Sequence, residues 1–147
     1  MERREIGATG LWVSALGLGT VKLGRDQGVK YPNRFTIPDD RQARSLLSRA
    51  QPLGINLIDT APAYGSSEQR LGELLGKTRP DWVICTKVGE EFEHGESRYD
   101  FTSEHVRTSV ERSLRRLNTD YLDLVLVHSN GEDEAIIPQH DPLTVLA

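Results

Sequence analysis

Apolar and polar positions along this chain follow two periods, and the switch between them predicts the elements. Between Arg4 and Leu16, two short alternating runs flank Gly7-Ala8-Thr9-Gly10, the pattern of a β-hairpin whose glycines supply the turn. Ala15–Gly19 reads as the first strand of a sheet. Ala43, Leu46, Leu47, Ala50 and Leu53 recur at helical spacing behind a cap at Asp39 or Asp40, and Gly54 ends that helix. Asn56–Asp59 is the second strand. Ser66 and Gln69 have capping-box spacing, and Leu71, Leu74 and Leu75 mark one face of a helix that stops near Gly76. Trp82–Thr86 is the third strand. Thr102 or Ser103 caps a longer helix with a stripe of Val106, Val110, Leu114 and Leu117. The fourth strand, Tyr121–Val127, is nearly all apolar, as expected of a strand covered on both faces.

Strands alternating with helices imply an α/β fold with a parallel sheet and right-handed crossovers. Two architectures satisfy this order: a doubly wound open sheet, or part of a (β/α)8 TIM barrel. The length of 147 residues favours the open sheet, because a complete barrel needs roughly 250. Pro142–Ala147, however, reads as the opening of a fourth helix, so the chain has the look of a barrel cut within a unit. It is treated as one domain, residues 1–147.

Composition narrows the class. Hydrophobic residues at 37% and charged residues at 27% suit a water-soluble globular domain. A net charge of −4 leaves no basic stripe to neutralise a run of phosphates, so a nucleic-acid partner is not expected. No apolar stretch follows the charged N-terminal residues, and Tyr121–Val127 is too short to span a bilayer; the expectation is a cytoplasmic protein without a membrane partner. Cys85 is the single cysteine, which rules out an internal disulfide and reads as a small buried hydrophobe.

Residues just past the carboxyl ends of parallel strands converge on one rim, where ligands bind in both architectures. Those positions hold Gly19 and Thr20, then Asp59 and Tyr64, then Lys87, then His128. Each has a bland alternative. Asp59 could cap its turn, Tyr64 could be a loop aromatic, and His128 could be a hydrogen-bonded structural histidine. Lys87 ends a run of buried strand residues, where an ammonium is costly unless paired, so a partner such as Asp59 is expected. Together they suggest proton transfer. A phenol has a pKa of about 10, which an adjacent ammonium can lower by roughly 1–3 units. In this reading Lys87 tunes Tyr64, Asp59 orients Lys87, and His128 hydrogen-bonds a substrate carbonyl. His94, His105 and His140 show no ligand spacing, and no metal is expected.

Asp59-Thr60-Ala61-Pro62-Ala63-Tyr64-Gly65, followed by Glu68 and Leu71-Gly72, closely resembles the aldo-keto reductase motif, and Thr86-Lys87 and Tyr121-Leu122-Asp123-Leu124 leading to His128 resemble that family's later motifs. The resemblance covers essentially the whole chain and implies the N-terminal half of the barrel, with the hairpin closing its floor. It implies a catalytic tetrad of Asp59, Tyr64, Lys87 and His128 with Tyr64 as the acid. It also implies NADP(H) as cofactor, with its nicotinamide end near Gly19, Thr20 and Asp59, and a small aldehyde or ketone as substrate. Gly17-x-Gly19 lacks the third glycine of a dinucleotide fingerprint, in keeping with a family that binds without that fold.

Strands five to eight are absent, and barrels commonly hold phosphate in loops after strands seven and eight. The expectation is that this chain alone is weakly active or inactive, and that it either self-associates through uncovered edges or needs the rest of its parent polypeptide. A non-catalytic, subunit-like protein is the alternative. Gly24–Pro38, with Tyr31 and Phe35, lies on the same rim and reads either as the wall of a substrate pocket or as a loop, the loop being favoured, and the stretch holding Phe92 and Tyr99 has the same two readings; Arg112, Arg115 and Arg116 read as a solvated helix face.

Overall fold

A computed structural model describes residues 1–29, 31–132, 134–136 and 142–146. His140 and Ala147, which figured in the sequence reading, lie outside the described residues. The chain opens with the expected hairpin: β1 (Arg3–Glu5) pairs antiparallel with β2 (Trp12–Ser14), and Gly7 and Gly10 take positive φ between them. Asn56 anchors this hairpin. Its side-chain carbonyl accepts from Ser14 N at 2.7 Å and its amide donates to Trp12 O at 2.9 Å. Asn56 directly precedes a sheet strand, so the hairpin covers the amino-terminal end of the sheet, opposite the rim.

The sheet contains β3 (Gly17–Gly19), β4 (Leu57–Asp59), β5 (Val83–Val88) and β8 (Leu124–Val127), all parallel and in the order β3-β4-β5-β8. The order never reverses, whereas a doubly wound sheet reverses at its switch point. The helices also lie on one side. Helix α1 (Val21–Gly24), α2 (Asp40–Ala50), α3 (Ser67–Leu75) and α4 (Ser103–Leu117) contribute Leu23, Leu47, Leu71, Leu74, Leu75 and Leu117 to a core closed by Ile58 and Ile84 from the strands. One-sided helices on a sheet in sequential order make this the arrangement of part of a (β/α)8 barrel.

Local signals account for most boundaries. Asp39 forms a full capping box with Gln42, and Thr102 accepts from His105 N. The box expected at Ser66 is not formed; Gln69 instead donates to Glu73 one turn on, and the neighbouring Ser67 turns its hydroxyl into the protein. Leu46 and Leu53 are exposed although they share the helical spacing, because the core covers only the side of α2 that carries Ala43, Leu47 and Ala50.

Larger corrections come from β8 and α4. Tyr121–Asp123 do not join β8: the Asp123 carboxylate accepts from Ile84 N at 2.9 Å and from Arg79 at 2.7 Å, which takes that stretch off the ladder. Trp82 likewise precedes its strand, closing a 3-10 turn over Gly76–Asp81. Strand β8 is an edge, and Leu126 is 49% exposed on it, so the expectation of cover on both faces fails. Val110 and Leu114 are only half-buried beside it, while Ser109 and Ser113 of α4 are buried. Arg112 and Arg116 do not form a solvated face. Arg112 pairs with Glu91, and Arg116 lies 3.4 Å from the fully buried carboxylate of Glu68.

The stretch after β5 is no loop either. Gly89, with φ +108°, swings the chain into a hairpin of β6 (Glu90–Glu93) and β7 (Glu96–Tyr99). A side chain at Gly89 would collide with the Phe101 ring 2.3 Å away, so this turn belongs to glycine. Residues 142–146 form a short helix, as the pattern of Pro142–Leu146 suggested.

Candidate active site

Strand register brings the rim together. Gly19 pairs with Asp59 and Asp59 with Cys85, so Lys87, two residues beyond Cys85, projects from the same face as Asp59. Asp59 is pinned through its backbone. Thr20 donates to the Asp59 carbonyl from its N–H at 3.0 Å and from its hydroxyl at 2.8 Å, and Ser67 donates to that same hydroxyl. Thr20 is fully buried in this arrangement. Gly19, by contrast, is exposed, with open space where a side chain would stand.

Tyr64 stands on the turn between β4 and α3. Its N–H donates to Ala61 O at 3.0 Å, Ser67 N donates to its carbonyl at 3.2 Å, and Gly65 completes the turn at φ +63°. The turn packs directly on Gly24 at the end of α1.

Lys87 is the centre of the site. Its ammonium donates to Asp59 Oδ2 at 2.8 Å, to the Thr60 carbonyl at 2.9 Å and to the Tyr64 hydroxyl at 3.2 Å. Only 12% of its side chain is exposed, against 39% for Asp59. All three ammonium hydrogens are used, which is what a desolvated lysine requires. Burial alone would lower its pKa, but the hydrogen bond and charge of Asp59, with smaller help from Tyr64, outweigh it and hold the ammonium above its ordinary range.

Tyr64 behaves otherwise than its neighbour suggested. Burial is the largest influence and raises the phenol; Lys87 opposes it by charge and hydrogen bond, and Asp59, whose Oδ1 accepts from the hydroxyl at 3.4 Å, adds to the rise. The net direction is upward from 10, the reverse of the expected lowering. The phenol is therefore a neutral O–H donor at pH 7.

His128 follows β8, its N–H donating to Val88 O at 2.8 Å, and its ring meets that of Tyr64 edge-on with centroids 5.9 Å apart. The four residues expected at the rim thus converge. Burial lowers the imidazole most, with Lys87 and Arg25 adding to the effect and Glu90 and Asp59 opposing it; the net direction is down from 6.5. Its Nδ1 lies 2.9 Å from Glu90 Oε2, off the line of an ideal hydrogen bond.

Glu90 was not anticipated. Glu90, Glu91 and Glu93 are alike in residue type; the hairpin turns Glu90 toward the rim and Glu91 toward α4. The available signal was the position of Glu90 three residues after Lys87. Among the described residues no group of three or more His, Cys, Asp or Glu is placed to hold a metal, and no helix is long and apolar enough to cross a membrane. Cys85 is buried and free.

Comparison with known proteins bears on the family and the fold. The family model described as "Aldo/keto reductase family" matches residues 15–146. An L-galactose dehydrogenase from Arabidopsis thaliana is 38% identical over 133 residues, covering 87% of this chain and 38% of its own length. An NADH-specific methylglyoxal reductase from Escherichia coli is 32% identical over 160 residues, covering 99% of this chain and 47% of its own. A crystal structure from Pseudomonas aeruginosa assigned to the aldo-keto reductases superposes with a TM-score of 0.90 at 58% identity, covering 98% of this chain and 53% of that one. The chain spans about half the length of the relatives it matches.

Proposed function

Since this chain belongs to the aldo/keto reductase family, we propose that it carries the proton-transfer half of a site that reduces an aldehyde or ketone to an alcohol with NADP(H). The observation that carries this reading is the three-way contact of Lys87 with Asp59, Thr60 and Tyr64. Tyr64 is the general acid. As its proton moves to the carbonyl oxygen, the Lys87 N–H 3.2 Å away meets the growing phenolate charge, a stabilisation that strengthens along the reaction. Asp59 keeps Lys87 charged and aimed. His128, whose ring meets that of Tyr64 edge-on, stands within reach of the same substrate oxygen.

The residues fit the nicotinamide end of the cofactor: Gly19 offers an exposed, side-chain-free rim beside Asp59 and the Tyr64 hydroxyl. When bound, the nicotinamide supplies hydride to the carbonyl carbon. We assign no described residue to the adenosine end. Positioning donor and acid together is worth roughly 7–11 kcal/mol in favourable cases, so weak or absent turnover is proposed for the 147-residue chain by itself. A cytoplasmic setting, in keeping with the buried free Cys85, belongs to the same proposal.

The test is titration with NADPH and, separately, NADH, followed by consumption of a small aldehyde by the chain within its full-length protein. Tyr64→Phe should lower kcat by about 10²–10⁴-fold with cofactor affinity unchanged. Cofactor binding without turnover in the unsubstituted protein would favour the non-catalytic reading, and an active Tyr64→Phe would remove Tyr64 as the acid.

A further inference from the structure

Glu90 is a buried carboxylate at the edge of the site, 7% exposed, and its two oxygens face different partners. Oε1 accepts from the Ser97 hydroxyl at 2.6 Å and lies 3.4 Å from an Arg25 Nη1; Oε2 is 2.9 Å from Nδ1 of His128. Arg25 is not free to neutralise it alone. Its guanidinium donates to the carbonyls of Gln27, Ala63 and Gly28 and stacks on the Phe92 ring 3.4 Å away. A desolvated carboxylate oxygen calls for a donor, and the nitrogen facing Oε2 is Nδ1 of His128, 2.9 Å away though off the line of an ideal hydrogen bond.

We propose that Glu90 is a positioning residue: its carboxylate, braced by Ser97 and Arg25, holds the His128 ring with Nδ1–H toward Oε2 and leaves Nε2 as the nitrogen that meets a substrate oxygen. This rests on the reductase reading for its place in the reaction and on the Glu90–His128 contact for its geometry. Nδ1 is shut from solvent while the His128 side chain keeps 21% of its exposure, so the accessible edge of the ring is the one away from Glu90.

The arrangement has a chemical consequence. With Nδ1 protonated, a neutral ring offers a lone pair at Nε2, which accepts from an alcohol hydroxyl and repels a carbonyl oxygen. The imidazolium offers N–H there, which suits a carbonyl. Glu90 thus biases His128 toward the form that takes a carbonyl, because its charge favours the doubly protonated ring against the burial that disfavours it. The other groups facing His128 are Lys87 and Arg25, which disfavour that form, Asp59, which favours it, and the neutral Tyr64.

The experiment is long-range ¹H–¹⁵N correlation NMR of the full protein, following the His128 imidazole between about pH 5 and 9. The expected result is the Nδ1–H tautomer at high pH and, in Glu90→Gln, a titration midpoint lower by about 0.5–1 pH unit. Glu90→Asp should restore most of that shift. An Nε2–H tautomer in the unsubstituted protein, or a midpoint unmoved by Glu90→Gln, overturns the proposal. Should Glu90→Gln fail to fold, the tautomer in the unsubstituted protein decides alone. The readout needs no turnover, so absence of reductase activity would count against the reductase reading and not against this pair. Where turnover is measurable, the limb on which kcat/KM for reduction falls as pH rises through the His128 midpoint should move down in pH with that midpoint in Glu90→Gln.

Discussion

Gly24 and Tyr64 are locked backbone to backbone: a methyl group on Gly24 would fall 2.3 Å from the Tyr64 carbonyl oxygen and 2.2 Å from Ser67 N. Neither contact is with a flexible side chain that could move aside. Gly24→Ala must therefore push α1 away from the turn that presents the phenol. The expected outcome is a loss of about 1–3 kcal/mol in urea unfolding, with lowered kcat. An unchanged midpoint would mean that the turn yields more easily than its packing implies.

Gly19→Ala is the contrasting case. A side chain there meets open space, so folding should be unaffected. If the rim above Gly19 holds the nicotinamide, the added methyl weakens NADPH binding by about tenfold, or ~1.4 kcal/mol. Fluorescence titration of the full-length variant reads this directly, and undiminished affinity would place the cofactor elsewhere.

Lys87→Met removes the ammonium that three oxygens share. Reduction should fall by about 10²–10⁴-fold. Ultraviolet titration should also show the Tyr64 phenol rising further, because Lys87 is what opposes its burial. A phenol that falls on loss of Lys87 would refute the electrostatic account.

Glu68 is fully buried, accepting from the Thr86 hydroxyl at 2.6 Å with Arg116 3.4 Å from its other oxygen. Glu68→Ala strands both partners. The expected cost is about 2–3 kcal/mol, less than for a wholly buried pair because Arg116 stays a third exposed. Glu68→Gln, which keeps the acceptor for Thr86, should cost about 1 kcal/mol in the same denaturation measurement.

Stability should decline at both ends of the pH range. Lys87 and Tyr64 are both raised in the folded protein, so their contribution is whole below about pH 10 and fades as pH climbs toward the folded values. His128 is lowered, so its contribution is present above about pH 6.5 and is lost as pH falls through the folded value. Melting temperatures recorded across pH should show a shallower alkaline limb in Tyr64→Phe, which removes the raised phenol and part of the support for Lys87, and a shallower acid limb in His128→Gln. Limbs unaltered by these changes would assign the titrations to other groups.

Much of the architecture could be read in advance because it is written in local periodicity. Alternation over Arg4–Leu16, the capping residues Asp39 and Thr102, and the apolar strands at Ile58 and Ile84 each depend on neighbours a few residues away. What failed was whatever depended on partners far along the chain. The Ser66 box lost to a hydroxyl network joining Ser67 with Thr20, 47 positions away, and Tyr121–Asp123 left its strand because Asp123 serves Ile84 and Arg79.

The amino-acid order alone determined which chemical groups stand at the strand ends, since the alternation of strands and helices puts Asp59, Tyr64, Lys87 and His128 on one rim whatever the details. Only the folded arrangement decided how those groups behave. Burial, which no local pattern encodes, outweighs the ammonium and raises Tyr64, and a hairpin after Gly89 delivers Glu90 to His128. Desolvation and long-range pairing act through space, and spacing along a chain does not report them.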